Sequence, residues 1–220
     1  MATQLKQGAM LPTKAPNMPL APEVPDRKFM DDLQNALRLY FNQNDNVNGG
    51  LLGRNGGQYI ECPVGLFFNT ADQTFASTGT AYPVVFNQTY LNNAVALQTG
   101  STSKIEVSVG GVYNFQYTGQ VLSSSASAKT IYLWIKRNGT AIGYSTRAET
   151  VAVNNGYTGI NYSFDIDLAA GEYLELEAAV TDTALHLDSV AATSPHPGIP
   201  SSVMTVNYIG PLPDPRPTPP

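Results

Sequence analysis

Two pairs of carboxylates stand at period-two spacing, Asp165 with Asp167 and Glu175 with Glu177. In an extended strand alternate side chains share a face, so each pair presents its carboxyl groups together. Glycoside hydrolysis uses such pairs, about 5 Å apart in retaining enzymes and farther apart in inverting ones. Glu175 and Glu177 alternate with Leu174 and Leu176, however, which predicts the solvent face of an amphipathic strand. His186 (LHLD) and His196 (PHPG) have no accompanying nucleophile motif. Ser123–Ser125 lie in a low-complexity stretch, not in a strand–helix elbow. Cys62, next to Pro63, reads as a small buried apolar side chain. Asp165, Asp167, Asp182 and Asp188 could offer oxygens to calcium, but no D-x-D-x-D-G loop orders them. No catalytic residue, cofactor or metal site is assigned, and the chain is not expected to be an enzyme.

Composition narrows the partners. The 220 residues carry a net charge of −5 and no Lys/Arg-rich run, which argues against nucleic acid. A single Cys excludes an internal disulfide framework. No apolar stretch approaches the roughly 20 residues of a membrane span, and MATQLKQGAMLP lacks the apolar core of a secretory signal. A charged fraction of only 13%, with many Tyr, Thr, Asn and Gly, suits β structure.

The elements that must position these residues follow in order. Residues 1–25 hold Pro12, Pro16, Pro19, Pro22 and Pro25. Each proline removes a donor and fixes φ, so an extended arm is expected. Leu11, Met18, Leu20 and Val24 interleave with the prolines. A solvated linker has little use for them, whereas an arm lying along another protein could seat them in shallow pockets.

Residues 26–46 predict one short α-helix. Asp26 can cap it. Asp31 and Asp32 in its early turns, and Arg38 toward its end, suit the helix dipole. Met30, Leu33, Leu37 and Tyr40 form a three-four-three seam. Two heptads are too few for an autonomous coiled coil. The helix either packs on its own domain or bundles with copies from neighbouring subunits. The run NQNDNVNGGLLGRNGG is expected to break it, with a Gly/Asn-rich connector and short strands over 47–80.

From 81 to 210 a jelly-roll β-sandwich is predicted. Ile105, Val107 and Val109 alternate, as do Tyr113, Phe115 and Tyr117. In TIYLWIKRNGT, Ile131, Leu133 and Ile135 share one face, with Tyr132 and Trp134 on the other. Asn138-Gly139 is a hairpin signal, because both central positions of that turn need positive φ. Tyr162, Phe164, Ile166 and Leu168 alternate up to a turn at Ala170-Gly171, and the last strand is SSVMTVNYIG. The Pro-rich end, 211–220, is expected to be an extended tail.

The strand order resembles the jelly-roll heads of the complement and tumour necrosis factor type. The residues that carry this are G-V-Y-x-F at Gly111–Phe115, K-x-N-G-T at Lys136–Thr140, L-x-x-G-E at Leu168–Glu172 and the closing strand Val203–Ile209. The resemblance covers about half the chain. It implies a homotrimer with inner-sheet aromatics around a threefold axis. Tyr113, Tyr117, Trp134 and Tyr208 are then candidates for core or trimer contacts. A second resemblance lies in PNMPLAPE (Pro16–Glu23) followed by LQNALRLYFNQNDN (Leu33–Asn46). This looks like the opening of small virion structural proteins of tailed phages, marine and cyanobacterial ones in particular. There a Pro-rich segment precedes a helix ending L-R-L-Y-F-N-Q.

Together these imply a virion protein, assembled in the host cytoplasm, whose partners are copies of itself and the major capsid protein or a tail protein. The first expectation is a trimeric capsid decoration, or cement, protein that stabilises the assembled head. The alternative is a tail fibre or fibre adaptor whose jelly roll binds a host receptor.

Overall fold

The computed structural model describes residues 26–52, 62–152, 156–213 and 215–216. The arm, with Leu11, Met18, Leu20 and Val24, lies outside the described residues. The chain forms two compact units, Met1–Glu61 and Cys62–Pro220.

The first unit holds helix α1, Arg27–Leu52. Asp26 caps it: its Oδ1 accepts the Phe29 amide at 2.7 Å. The helix runs six residues past its expected end at 46 and through Gly49-Gly50. Each glycine costs about 1 kcal/mol against alanine. The helix nevertheless continues over both glycines. The extension corrects the expected dipole arrangement. Arg38 falls mid-helix and the last turn has no basic residue, while Asp31 and Asp32 stand in the second turn.

The second unit is mostly β. Its strands are β1 Val64–Asn69, β2 Gln73–Thr74, β3 Tyr82–Pro83, β4 Gln88–Asn93, β5 Val95–Leu97, β6 Ile105–Val107 and β7 Gly111–Ser123. They continue as β8 Lys129–Arg137, β9 Thr140–Ala141, β10 Arg147–Val151, β11 Gly156–Leu168, β12 Tyr173–Val180, β13 Leu185–Leu187 and β14 Ser202–Gly210. The sandwich thus begins at β1, before the boundary expected at 81. Pro63 stands just outside β1, where its missing donor costs no ladder bond, and its carbonyl accepts the Tyr208 amide at 3.1 Å.

Two antiparallel sheets pack together. In the first, β11, β7, β14, β1 and β4 lie side by side, with β13 on the far end of β7 and β2 on β13. In the second, the order is β10, β8, β12, β6 and β5, with β3 on β12 and β9 on β8. The long strands β1, β7, β11 and β14 share one sheet, and β6, β8, β10 and β12 share the other. That allotment is jelly-roll topology, as expected. The core between the sheets is apolar and includes Phe67, Phe86, Phe115, Leu133, Ile160 and Leu174.

The punctuation follows backbone chemistry. Asn138 and Gly139 both take positive φ, 49° and 81°, in the β8–β9 hairpin. L-x-x-G-E is the corner from β11 in the first sheet to β12 in the second. Gly171 takes φ 84° there, and Glu172 accepts the Ala169 amide at 2.8 Å. Gly111 has a different reason: a Cβ there would stand 2.2 Å from the Tyr208 ring.

Candidate functional site

The helix seam is only partly covered. Leu33, Leu37 and Tyr40 are half-buried, while Met30, Leu39 and Phe41 are 44%, 59% and 58% exposed. The capped start and the three-four spacing place Met30, Leu33, Leu37 and Tyr40 along one side of α1, with Phe41 at its margin and Leu39 on the opposite side.

The aromatics resolve differently. Tyr113 and Tyr117 point into the sandwich and are fully buried, so of the two roles expected they take the core one. The Tyr113 hydroxyl donates to the Val109 carbonyl at 2.5 Å, and burial pushes its phenol up to about 12. The Tyr117 hydroxyl shares a hydrogen bond with Ser202 at 3.0 Å. Tyr208 is half-buried and meets Tyr113 edge-on, with ring centroids 5.5 Å apart. Trp134 is half-buried on the outer face of β8, opposite Glu177 on β12.

With Tyr113, Phe115 and Tyr117 of β7 turned inward, the middle of the first sheet presents polar rows on its outer face. Asn114 on β7 donates to Asp165 on β11 at 2.6 Å, Gln116 donates to Asn114 at 2.7 Å, and Thr118 donates to Asn161 at 3.0 Å. Thr205 and Asn207 of β14 continue these rows in register with Gln116 and Asn114.

The carboxylate pairs do not form a solvent-facing dyad. Glu175 and Glu177 are buried, 9% and 5% exposed, against the expectation of a solvated face. The cause is cover from neighbours: β3 lies along β12, and Ser103 donates to Glu175 at 2.8 Å. Lys136 pairs with Glu177 at 2.7 Å. Asp165 serves the polar face, whereas Asp167 holds Arg137 and Arg216. Asp182 pairs with Lys129 at 2.8 Å. The four aspartates considered for calcium are therefore dispersed over separate partners. Cys62 is exposed, not buried, because it precedes the first strand. In the stretch expected as an extended tail, Arg216 closes on both Asp167 and Glu172.

One cluster was invisible in the sequence. His186 and Asp188 share a face of the β13 segment, with His186 Nε2 3.1 Å from Asp188 Oδ1. Asp72, 114 residues earlier, joins them because β2 pairs with β13. One candidate ligand atom from each of the three residues lies within 4.8 Å of the other two. Asp72 Oδ1 accepts the Ser189 amide at 2.8 Å and its hydroxyl at 2.7 Å, and these bonds hold its carboxyl below the usual range. The exposed Tyr157 phenol is raised, first by hydrogen bonding to Asp188. An open groove lined by Phe68, Thr70, Val190 and Ile199 runs beside Asp72 and Ser189. The second histidine, His196, is exposed in a turn and takes no part.

No protein-family model matches this chain, and no curated protein matches it.

Proposed function

We propose that this chain is a structural protein of a phage particle, a homotrimeric decoration protein that binds and stabilises the assembled head. The observation that carries the reading is the joining of a jelly roll to a separate helical unit. That helix keeps heptad spacing and leaves Met30 of the seam, and Phe41 at its margin, exposed. A seam of that spacing suits bundling with identical helices. Three copies around one axis suit a shell, where threefold positions repeat. In this reading the polar rows of the first sheet, and not its buried tyrosines, face the neighbouring heads. The arm residues Leu11, Met18, Leu20 and Val24 contact the capsid protein. Three weak arms acting together gain from effective concentration. Binding the assembled shell and not its free subunits stabilises the shell by linkage.

The test is co-sedimentation of the full chain with empty heads and, separately, with free capsid subunits. Saturable binding to heads alone, lost when Leu11, Met18, Leu20 and Val24 are all changed to Ser, is the expected result. Equal recovery of that variant with heads overturns the assigned role of the arm, and no binding by the wild-type chain overturns decoration.

A second reading, a tail fibre or adaptor whose jelly roll binds a receptor, is supported by Tyr144. Its side chain is fully exposed and its φ is 58°, a strained value for a bulky residue. An aromatic ring held out in that way suits stacking on a sugar. Glycan binding by the intact chain, lost in Tyr144→Ala, is what that reading requires.

A further inference from the structure

The sharpest unexplained electrostatic feature is two carboxylates set against each other beside one imidazole. The β2–β13 register pairs Thr74 with His186 and Gln73 with Leu187. Asp72 and Asp188 stand immediately outside these paired residues, and a carboxyl oxygen of each lies within 4.8 Å of the other. Like charges that close together are destabilising. Asp188 is also nearly buried, at 8% exposed, where an uncompensated charge costs more. Among the described residues no Lys or Arg forms an ion pair with either aspartate. Ser189 supplies hydrogen bonds to Asp72 but no positive charge.

We propose that Asp72, His186 and Asp188 bind a divalent transition-metal ion of the zinc class, with one nitrogen and two oxygen donors. Zinc takes imidazole and carboxylate ligands at about 2.0–2.2 Å, so donors around it lie roughly 3–4 Å apart. From their present spread of at most 4.8 Å the three groups need to close by up to about 1–2 Å. The imidazole disfavours calcium and magnesium, which prefer all-oxygen sites. Ser189 holds one oxygen of Asp72 through two hydrogen bonds, which orients the carboxylate and leaves its second oxygen for the ion. Asp72 is exposed and borders the groove, which gives an ion its way in and leaves coordination positions open to solvent or to a partner's side chain.

The experiment is calorimetric titration of zinc into the full chain after chelator treatment, in a Cys62→Ser background so that the exposed thiol does not compete. The expected result is one zinc per chain, with affinity reduced about tenfold or more in both His186→Gln and Asp72→Asn and unchanged in His196→Gln. Far-UV circular dichroism checks the fold of each variant. Should His186→Gln unfold, Asp72→Asn, altered only at an exposed side chain, decides alone. Absence of saturable binding, binding that Asp72→Asn leaves intact, or saturation by calcium but not by zinc each overturns the assignment.

Discussion

Arg216 closes on Glu172, the residue that also caps its own corner through the Ala169 amide. The same guanidinium reaches Asp167 and its carbonyl, the latter at 2.9 Å, while Arg137 approaches the Asp167 carboxylate at 3.4 Å. Arg216, in a segment expected as an extended Pro-rich tail, is thus held at the corner between β11 and β12.

Removing that pin gives a graded prediction. Arg216→Ala should lower unfolding stability by about 1 kcal/mol, the scale of a partly exposed ion-pair network. Denaturant titration reads it, and an unchanged midpoint would mean that the tail contributes nothing.

The same contact sets a pH dependence. Burial alone would push the Glu172 carboxyl up, but Arg216, the Ala169 amide and Asn138 outweigh it and hold the group below its ordinary value of 4.5. A carboxylate depressed in the folded state binds fewer protons there than in the unfolded chain. Its contribution is therefore complete above pH 4.5 and is lost as pH falls through the lower folded value. Thermal midpoints from about pH 7 down to about pH 3 should fall less in Arg216→Ala than in the wild type. Parallel falls would contradict the assignment.

Lys136 answers for the most buried carboxylate among the described residues. Lys136→Met should leave Glu177 without its cation and cost about 3 kcal/mol, whereas adding Glu177→Gln should recover much of that loss. A double-mutant cycle in denaturant measures it, and strictly additive costs would show that the pair is not coupled.

Gly111 tests close packing. A methyl group there meets the Tyr208 ring at 2.2 Å and the Gly210 carbonyl at 2.7 Å. Gly111→Ala should cost about 1–3 kcal/mol by overpacking. Tyr208→Ala in the same chain should relieve only the ring clash, since the carbonyl is backbone. Equal midpoints for Gly111→Ala and the wild type would refute this packing.

Much of this was legible in the sequence, and for physical reasons. Alternation from Ile105 to Val180 gives the β-sandwich because one face of each strand must leave water. Asn138-Gly139 and Gly171 mark their turns because few residues accept positive φ. What the sequence hid is non-local. Glu175 and Glu177 read as solvated because period two gives a face and not what covers it. Asp72 meets His186 and Asp188 only through a two-residue strand, too short to leave a periodic signal. The helix runs past 46, through Gly49-Gly50, where composition suggests a stop.

The central claim is that a helix-bearing jelly roll decorates a phage head, and its most direct test is where the protein sits. Purified virions and tail-less heads should be imaged side by side, with wild-type chain and with Leu33→Asp/Leu37→Asp, a change that should leave the β-sandwich folded. The account predicts abundant threefold density over the shell in both samples, weakened or lost in the double variant. A few copies confined to the tail vertex, or normal decoration by the double variant, would contradict it.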